Sequence, residues 1–385
     1  KFNQLYILLK QMTVFIKIQN KLFLSTLIVC ILFTFSHQSL AEVDLNGKSI
    51  KWVVPFSEGG GADVLARFYA PLLSQNLPGN PNVEVINMPG AGSTKGANWF
   101  SAQAPTDGSV IFSTSGSTQF PFLLDDPRVK YDYKDWEVIL ASSTGGVAYL
   151  PKELGALWNK DPKLTLNENY TYASQGPTRL DLVPLLAWSM LGMNVDPIFG
   201  IKGRADGRLM FEQGYVNIDY QTSSSFLSKV TPLVQRGTAI PIMTWGILDD
   251  NGDIIRDPNF PDIPTFREVY MQIHSKEPSG SDWNAWKAFF IAGFSTQKMV
   301  VIDKETDPEI INAFSEAFES IINKPSFVET SEKYIGIYPQ STGEKAIKFK
   351  EIATQIDPVA ISWVKNWLNN SYSSVSYTHL RAHET

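Results

Sequence analysis

The chain has 385 residues, 43% of them hydrophobic and 19% charged, which is enough apolar sequence for the cores of about two ordinary domains. Its formal net charge of −6 argues against nucleic-acid binding through a global positive field. One cysteine and four histidines are too few for a disulfide framework, and they make a histidine-rich or thiolate metal site improbable.

The first 41 residues have the pattern of a secretory signal peptide. They contain four lysines and no acidic residue, and residues 22–35 form an apolar run. Residues 39–41, Ser-Leu-Ala, have the small-x-small pattern of a cleavage site. We expect residues 1–41 to be removed, with 1–11 being upstream translation before Met12; an uncleaved membrane anchor is the alternative. Because Cys30 lies in this segment, the mature chain is expected to have no cysteine.

A short apolar run over 50–54 predicts a buried parallel strand, and a glycine-rich turn and a helix follow it. Gly59, Gly60 and Gly61 permit positive φ and allow a ligand to approach bare backbone. Asp63 lies where an N-cap or first-turn carboxylate belongs. The uncapped amide groups and partial positive charge of a helix N-terminus favour anions, so this turn is a candidate anion site. The alternative is a tight turn that binds nothing.

The next elements repeat this arrangement. Runs over 83–87 and 110–112 predict two further strands, and a second glycine turn lies between them, where Ser93 or Thr94 is expected to cap a helix. Residues 113–118 form a hydroxyl-rich loop after the third strand. Alternating strands and helices predict right-handed βαβ units and a parallel sheet, whose ligands lie beyond the carboxyl ends of the strands.

Several motifs together resemble a known receptor family. VPFSEGGGADVLAR at 54–67, NMPGAG at 87–92 and PTDG at 105–108 look like Bug-type receptors, the extracytoplasmic solute-binding proteins of tripartite tricarboxylate transporters. YASQGP at 172–177 and PDIPTFRE at 261–268 agree with this resemblance, which covers about residues 45–368.

The resemblance implies a periplasmic-binding-protein-like (type II) α/β fold, in which two α/β domains are joined by a two-strand hinge with a ligand cleft between them. We expect residues 42–148 and 283–372 to form a discontinuous first domain and residues 149–282 to form the second. Residues 373–385 have no convincing core period and are expected to be a non-native tail.

The family's ligand carboxylate meets backbone and hydroxyl groups of the first strand–helix loop and of a turn in the second domain. The resemblance and the polar turns together predict the following ligand-binding residues: Phe56, Ser57, Gly59, Gly60, Gly61, Asp63, Ser115, Gly116, Ser117, Ser174, Gly176, Thr178, Asn217 and Asp219. Asn217 stands where the family frequently has an aspartate, and Asp219 follows it by two residues. We interpret Thr178 also as a helix cap and His274 as solvated. Arg204 and Arg208 are interpreted as surface charges, and the alternative is that either of them is a bidentate clamp for a carboxylate.

The resemblance implies that the protein is a monomeric periplasmic receptor for a small carboxylated molecule, with the permease subunits of a membrane transporter as partners. We predict no cofactor, no metal, no catalytic residue and no nucleic-acid partner. A secreted serine-dependent hydrolase that uses the 113–117 loop is one alternative, although it lacks a plausible histidine base and a Gly-x-Ser-x-Gly elbow. A solute sensor for a signalling system is another alternative.

Overall fold

A computed structural model describes Lys10, residues 43–249 and residues 251–372. The predicted tail and, apart from Lys10, the predicted signal peptide lie outside the described residues. The strands and helices of the fold belong to the compact unit that begins at Leu45.

The strands of the described residues are β1 Ser49–Val54, β2 Asn82–Asn87, β3 Val110–Thr114, β4 Trp136–Ser142, β5 Gly146–Pro151, β6 Asn169–Ser174, β7 Asn194–Phe199, β8 Asp219–Thr222, β9 Ala239–Thr244, β10 Ile247–Leu248, β11 Ile254–Ile255, β12 Lys298–Asp303 and β13 Gln340–Ser341.

The α-helices are α1 Gly61–Asn76, α2 Thr94–Gln103, α3 Gly116–Leu123, α4 Lys152–Lys160, α5 Leu182–Leu191, α6 Arg204–Glu212, α7 Ser223–Ser225, α8 Thr231–Gln235, α9 Phe266–His274, α10 Ser281–Phe290, α11 Pro308–Ile322, α12 Phe327–Tyr334, α13 Gly343–Thr354 and α14 Pro358–Tyr372. Short 3₁₀ turns occur at Ala91–Ser93, Tyr133–Asp135 and Pro162–Thr165, and π-helical turns at Phe226–Val230 and Ile291–Ser295.

The large sheet has six strands in the order β13-β4-β12-β3-β1-β2. The pairs β1–β2 and β1–β3 are parallel, which confirms the parallel βαβ units predicted from the alternation of strands and helices. Strand β12 enters antiparallel between β3 and β4, so the complete sheet is mixed. Both β1 and β3 end at the same edge, and α1 and α3 begin there.

A small sheet of three strands, in the order β8-β5-β9, and a parallel pair β6–β7 are built from the middle of the chain. The chain passes from the large sheet to the small sheet at residues 143–145 and returns at residues 291–297. The two crossings are bonded to each other, because Thr144 N donates to Phe294 O at 3.0 Å and Ser143 Oγ donates to Ser295 O at 2.7 Å. The assignment of the two sheets to separate domains stays a prediction.

Large aromatic side chains fill the interior around the small sheet. Trp188, Trp245 and Trp286 are fully buried in one cluster that also takes in Ala360 and Val364 of α14. Trp245 is therefore a core residue. Among the described residues, no helix combines the length and the apolar character needed to cross a bilayer.

Four local predictions are wrong, and tertiary contacts explain why. Ser93 occupies the cap position of α2 with φ 92°, but its hydroxyl donates to Ser117 O instead of capping. Thr178 does not cap α5, which begins later, after Asp181. The hydroxyl-rich segment is not a loop, since β3 continues to Thr114 and α3 begins at Gly116. His274 is half-buried at the end of α9, where its Nε2 lies 3.0 Å from Met190 O.

Candidate binding site

The glycine turn after β1 gives each of its glycines a different environment. Gly59 has φ 76°, a left-handed conformation that favours glycine. Gly60 has φ −81° and caps α1 without a side-chain hydrogen bond, so its backbone does not use the positive φ that glycine permits. A Cβ atom on Gly61 would lie 2.0 Å from Thr222 Oγ1, because the end of β8 approaches the turn closely.

Asp63 holds the turn from within the first turn of α1. Its buried carboxylate accepts hydrogen bonds from Gly59 N at 2.8 Å, Arg67 Nε at 2.9 Å and Asn87 Nδ2 at 3.0 Å. All three donors come from the neighbouring elements, namely the glycine turn, α1 and the end of β2. The side chain therefore orients the loop, while the N-terminal amide groups of α1 keep no side-chain cap.

Three hydroxyl groups join the turn to elements of the middle of the chain. Ser57 Oγ donates to Asp206 Oδ2 at 2.8 Å, and Ser225 Oγ donates to Gly59 O at 3.2 Å. Ser224 Oγ donates to Gly61 O, also at 3.2 Å. The turn is thus packed against α6 and α7.

A small cavity of about 30 Å³ lies between the two sheets. Its lining comes from both sides and from the returning strand: Phe56, Gly60, Gly61, Ala62, Ser115, Ser117, Gln175, Leu180, Arg204, Thr222, Gln297 and Lys298. This volume corresponds to about one water molecule, so the two sides are closed on each other.

The N-terminus of α3 forms one wall of the cavity. Ser115 caps the helix in a reciprocal capping box with Thr118. Ser117 Oγ donates to Gln175 Oε1 at 3.2 Å and accepts from Leu180 N at 3.1 Å, so this hydroxyl joins α3 to the turn that follows β6. Gln175 Nε2 is buried and has no hydrogen-bond partner among the described residues.

Arg204 is buried at the start of α6, so the interpretation of this residue as a surface charge is wrong. Its guanidinium pairs with Asp219, lies 3.8 Å from Asp181 Oδ2 and packs over the rings of Tyr172 and Tyr220. Burial raises the pKa of Asp219, and the charge of Arg204 beside it opposes that shift. The positive charge of Arg204 is therefore already compensated by carboxylates of the protein.

Lys298, the first residue of β12, is the second cation in the lining, and only 4% of it is exposed. Its Nζ donates to Thr144 Oγ1 at 3.3 Å and to Ser224 Oγ at 3.2 Å. Burial lowers the pKa of this ammonium group to about 7, and no neighbouring carboxylate raises it again.

The predicted site residues fall into two groups in the structure. Those that line the cavity are Phe56, Gly60, Gly61, Ser115 and Ser117. Those that the structure places elsewhere are Ser57, Gly59, Asp63, Gly116, Ser174, Gly176, Thr178, Asn217 and Asp219.

The second group has other contacts. Ser174 Oγ donates to Asp181, Asn217 Oδ1 accepts from Thr171 N, and Asp219 holds Arg204 and Tyr149. A direct role of these residues in ligand binding stays a prediction.

Sequence reasoning missed several residues of the lining. Gln175 lies between two predicted site residues, and Thr222 lies at the end of β8, where no motif marks it. Lys298 carries a weak signal, namely a charge directly before the apolar run of a buried strand. Gln297 immediately precedes it in the chain.

An outer groove of about 840 Å³ lies on the solvent side of the glycine turn, where Glu58, Gly59, Arg67, Phe68, Arg208 and Lys229 contribute to its walls. Most of its charges are paired, as in the contacts Arg67–Asp63, Arg67–Glu58 and Arg208–Glu212. The buried cavity is therefore the better candidate for an anion, because its lysine has no carboxylate partner in the part of the chain that the structure describes.

No family model matches the sequence. A UPF0065 protein in the gbd 5′ region of Cupriavidus necator is 22% identical over 295 residues, which cover 74% of this chain and 78% of that protein. A UPF0065 protein in the tcbD-tcbE intergenic region of Pseudomonas sp. (strain P51) is 32% identical over 109 residues, 28% of this chain and 31% of that protein.

Solved structures that resemble the chain include the periplasmic binding protein BugD. BugD matches with a TM-score of 0.61 and 20% identity, covering 83% of this chain and 97% of that protein. A Rhodopseudomonas palustris protein with adipate gives 0.62 and 17%, covering 85% and 98%, and MatC from the same organism, with bound malate, gives 0.57 and 17%, covering 84% and 97%. The chain thus has the fold of a periplasmic binding protein, and the resemblance to Bug-type receptors is confirmed.

Proposed function

We propose that this chain is an extracytoplasmic solute receptor, which binds a small carboxylated organic molecule and delivers it to a tripartite tricarboxylate-type membrane transporter. One observation carries the proposal: an uncapped helix N-terminus after a glycine turn lines the same cavity as a buried lysine that has no carboxylate partner within residues 43–249 and 251–372. Amide donors and an ammonium group together attract a carboxylate.

The volume of the cavity favours a protein that opens and closes around its ligand. About 30 Å³ does not hold an organic acid, so the two sides have to part before the ligand enters. The two crossings at 143–145 and 291–297, which are bonded to each other, are the proposed hinge. In this reading, residues 42–148 and 283–372 form one domain and residues 149–282 form the other.

A receptor of this kind acts in the periplasm as a monomer, hands its ligand to permease subunits and performs no catalysis. For a serine-dependent hydrolase, a base would be needed beside Ser115 or Ser117. His274, the sole histidine among the described residues, instead contacts Met190 O. A sensor that feeds a signalling system would have the same cavity and a different membrane partner.

The test is isothermal titration calorimetry of the secreted protein with malate, adipate and a panel of other mono-, di- and tricarboxylates. Binding of at least one acid, together with a rise of the melting temperature in its presence, is expected. A folded protein that binds none of the panel would contradict the proposal. Turnover of acyl esters that is lost in Ser115→Ala or Ser117→Ala would favour the hydrolase.

A further inference from the structure

Lys298 is a buried cation that the protein does not neutralise. Among the described residues, its Nζ bonds only to the hydroxyl groups of Thr144 and Ser224, and no carboxylate contributes to its pKa. An uncompensated buried charge destabilises a fold, and natural proteins keep such groups mainly where they act on a ligand or substrate. Two of the three ammonium protons are used by these hydroxyls, and the third remains for another acceptor.

The lysine is linked directly to the glycine turn. Lys298 Nζ donates to Ser224 Oγ, and Ser224 Oγ donates to Gly61 O at the first residue of α1. Both Lys298 and Gly61 line the cavity. Gln175 Nε2, a buried donor without a partner, belongs to the same lining on the other side. The residues that carry these donors thus line one small volume.

The other charged groups near this volume are already engaged. Arg204 is held by two aspartates, and Asp63 accepts three hydrogen bonds on its own loop. The remaining groups lie next to the residues that Lys298 contacts: the Tyr338 hydroxyl donates to Asp257 and accepts from Ser223 Oγ, beside Gly145. Burial raises the pKa of Asp257 and that of Tyr338.

We propose that Lys298 is the specificity-determining residue of the cavity: its ammonium group pairs with one carboxylate of the ligand, so that the site takes carboxylate anions in preference to neutral molecules of the same shape. This inference rests on the proposed function and adds a residue outside the two polar turns. It also makes the affinity depend on pH, since only the protonated lysine attracts the anion and a bound carboxylate stabilises the proton.

The first experiment is calorimetry at pH 6.5 with malate and adipate and with their neutral diamides. Wild-type protein is expected to prefer the acid, and Lys298→Met to bind the acid at least about tenfold more weakly while the affinity for the diamide changes little. The matched control is Lys304→Met, which removes an exposed lysine that pairs with Asp135 just after the same strand. This control is expected to bind like the wild type.

The second experiment follows the pH dependence of binding by the wild-type protein. Between pH 6.5 and 8.5 the affinity of wild-type protein for the acid is expected to fall by about tenfold or more. The binding enthalpy at pH 8 should change with the ionisation enthalpy of the buffer in the direction of proton uptake. The Lys298→Met protein should lack both effects.

The outcomes separate this inference from the proposed function. If wild-type protein binds an acid, but Lys298→Met binds it equally well with the same pH profile, the inference is overturned and the receptor function stands. If wild-type protein binds no acid of the panel, both fail. If Lys298→Met does not fold, proton uptake by the wild type decides, and an affinity independent of pH from 6.5 to 8.5 overturns the inference.

Discussion

At the residue scale, the glycine turn shows how three adjacent glycines meet different demands. Gly59 needs its left-handed backbone, whereas Gly61 needs the absence of a side chain, because Thr222 and Ser224 lie where a Cβ atom would be. Gly60 has an ordinary backbone, and the position of a Cβ atom on it is at ordinary contact distance from Ser57 O (3.5 Å) and Ala205 N (4.0 Å). The sequence GGG therefore contains one conformational and one steric constraint.

A substitution at Gly61 should therefore differ from one at Gly60. Gly61→Ala forces β8 away from the turn and is expected to cost about 1–3 kcal/mol of unfolding free energy. Gly60→Ala, the matched control, should leave stability unchanged or raise it by up to about 1 kcal/mol, because it restricts the unfolded chain. Urea denaturation of both variants measures this difference. Equal losses would mean that the close contact between Gly61 and Thr222 does not exist in solution.

The free energy of unfolding of the unliganded protein should depend on pH through the titration of Lys298. Its folded-state pKa of about 7 lies below the unfolded value of about 10.4, so the unfolded chain binds more protons between these values. The titration of Lys298 therefore lowers the free energy of unfolding as pH falls from about 10 to 7, by up to about 1.4 kcal/mol per pH unit.

Urea unfolding at pH 7 and pH 9 tests this linkage. At pH 7 the Lys298→Met variant should have a larger free energy of unfolding than the wild type. This difference should be smaller at pH 9. Lys304→Met serves as the control for removal of a positive charge. Wild-type and Lys298→Met stabilities that change in parallel with pH would refute the expectation.

At the scale of elements, helix α11 supports the site from a distance. Asp307 caps it, with a side chain that accepts from Glu309 N, and its apolar stripe packs on α1, whose N-terminus faces the cavity. Phe318 is fully buried and makes edge contacts with Trp52 at 6.0 Å and Tyr69 at 5.5 Å between ring centres. This packing fixes α1 against β1 and so fixes the position of the turn between them.

Removing that side chain should lower stability strongly. Phe318→Ala is expected to cost about 3–5 kcal/mol, because it leaves a cavity between α11 and α1. Glu319→Ala changes the next, exposed residue of the same helix and should change stability by no more than about 0.5 kcal/mol. Thermal unfolding followed by circular dichroism compares the two. A loss below about 1 kcal/mol for Phe318→Ala would show that the two helices do not pack as described.

At the scale of the whole molecule, the end of the described chain packs onto the middle of the sequence. Helix α14 buries Ala360 and Val364 in the cluster around Trp188, and the ring of Tyr372 meets Phe199 of β7 at 5.3 Å. These contacts join residues that are far apart in the sequence, and they hold α14 against the region around the small sheet.

Two truncations test this arrangement. Removing residues 373–385 should leave the melting temperature unchanged, since we predict that this segment is a non-native tail. Removing residues 358–385 should lower the melting temperature by several degrees, because it exposes the cluster that α14 covers. A fall of several degrees on removing 373–385 alone would contradict the prediction for the tail.

The sequence alone determined the local elements of this protein. Apolar runs and glycine turns predicted β1, β2 and β3 and the helices between them, since the signals for these elements lie within a few residues. The same signals predicted the turns at the ends of β1 and β3, where five of the proposed site residues line the cavity. The motifs in these turns also carried the resemblance to Bug-type receptors.

Only the tertiary structure decided which polar groups face the cavity. Ser93, Thr178 and Asp219 have the residue types of caps or ligands, but distant partners engage Ser93 and Asp219, and α5 begins after Thr178. Lys298 and Gln175 reach the cavity because β12 returns between β3 and β4 and the turn after β6 meets α3. Charge compensation depends on contacts between residues far apart in the chain. No sequence window therefore distinguishes Arg204, which pairs with aspartates, from Lys298, whose bonds among the described residues are to hydroxyl groups.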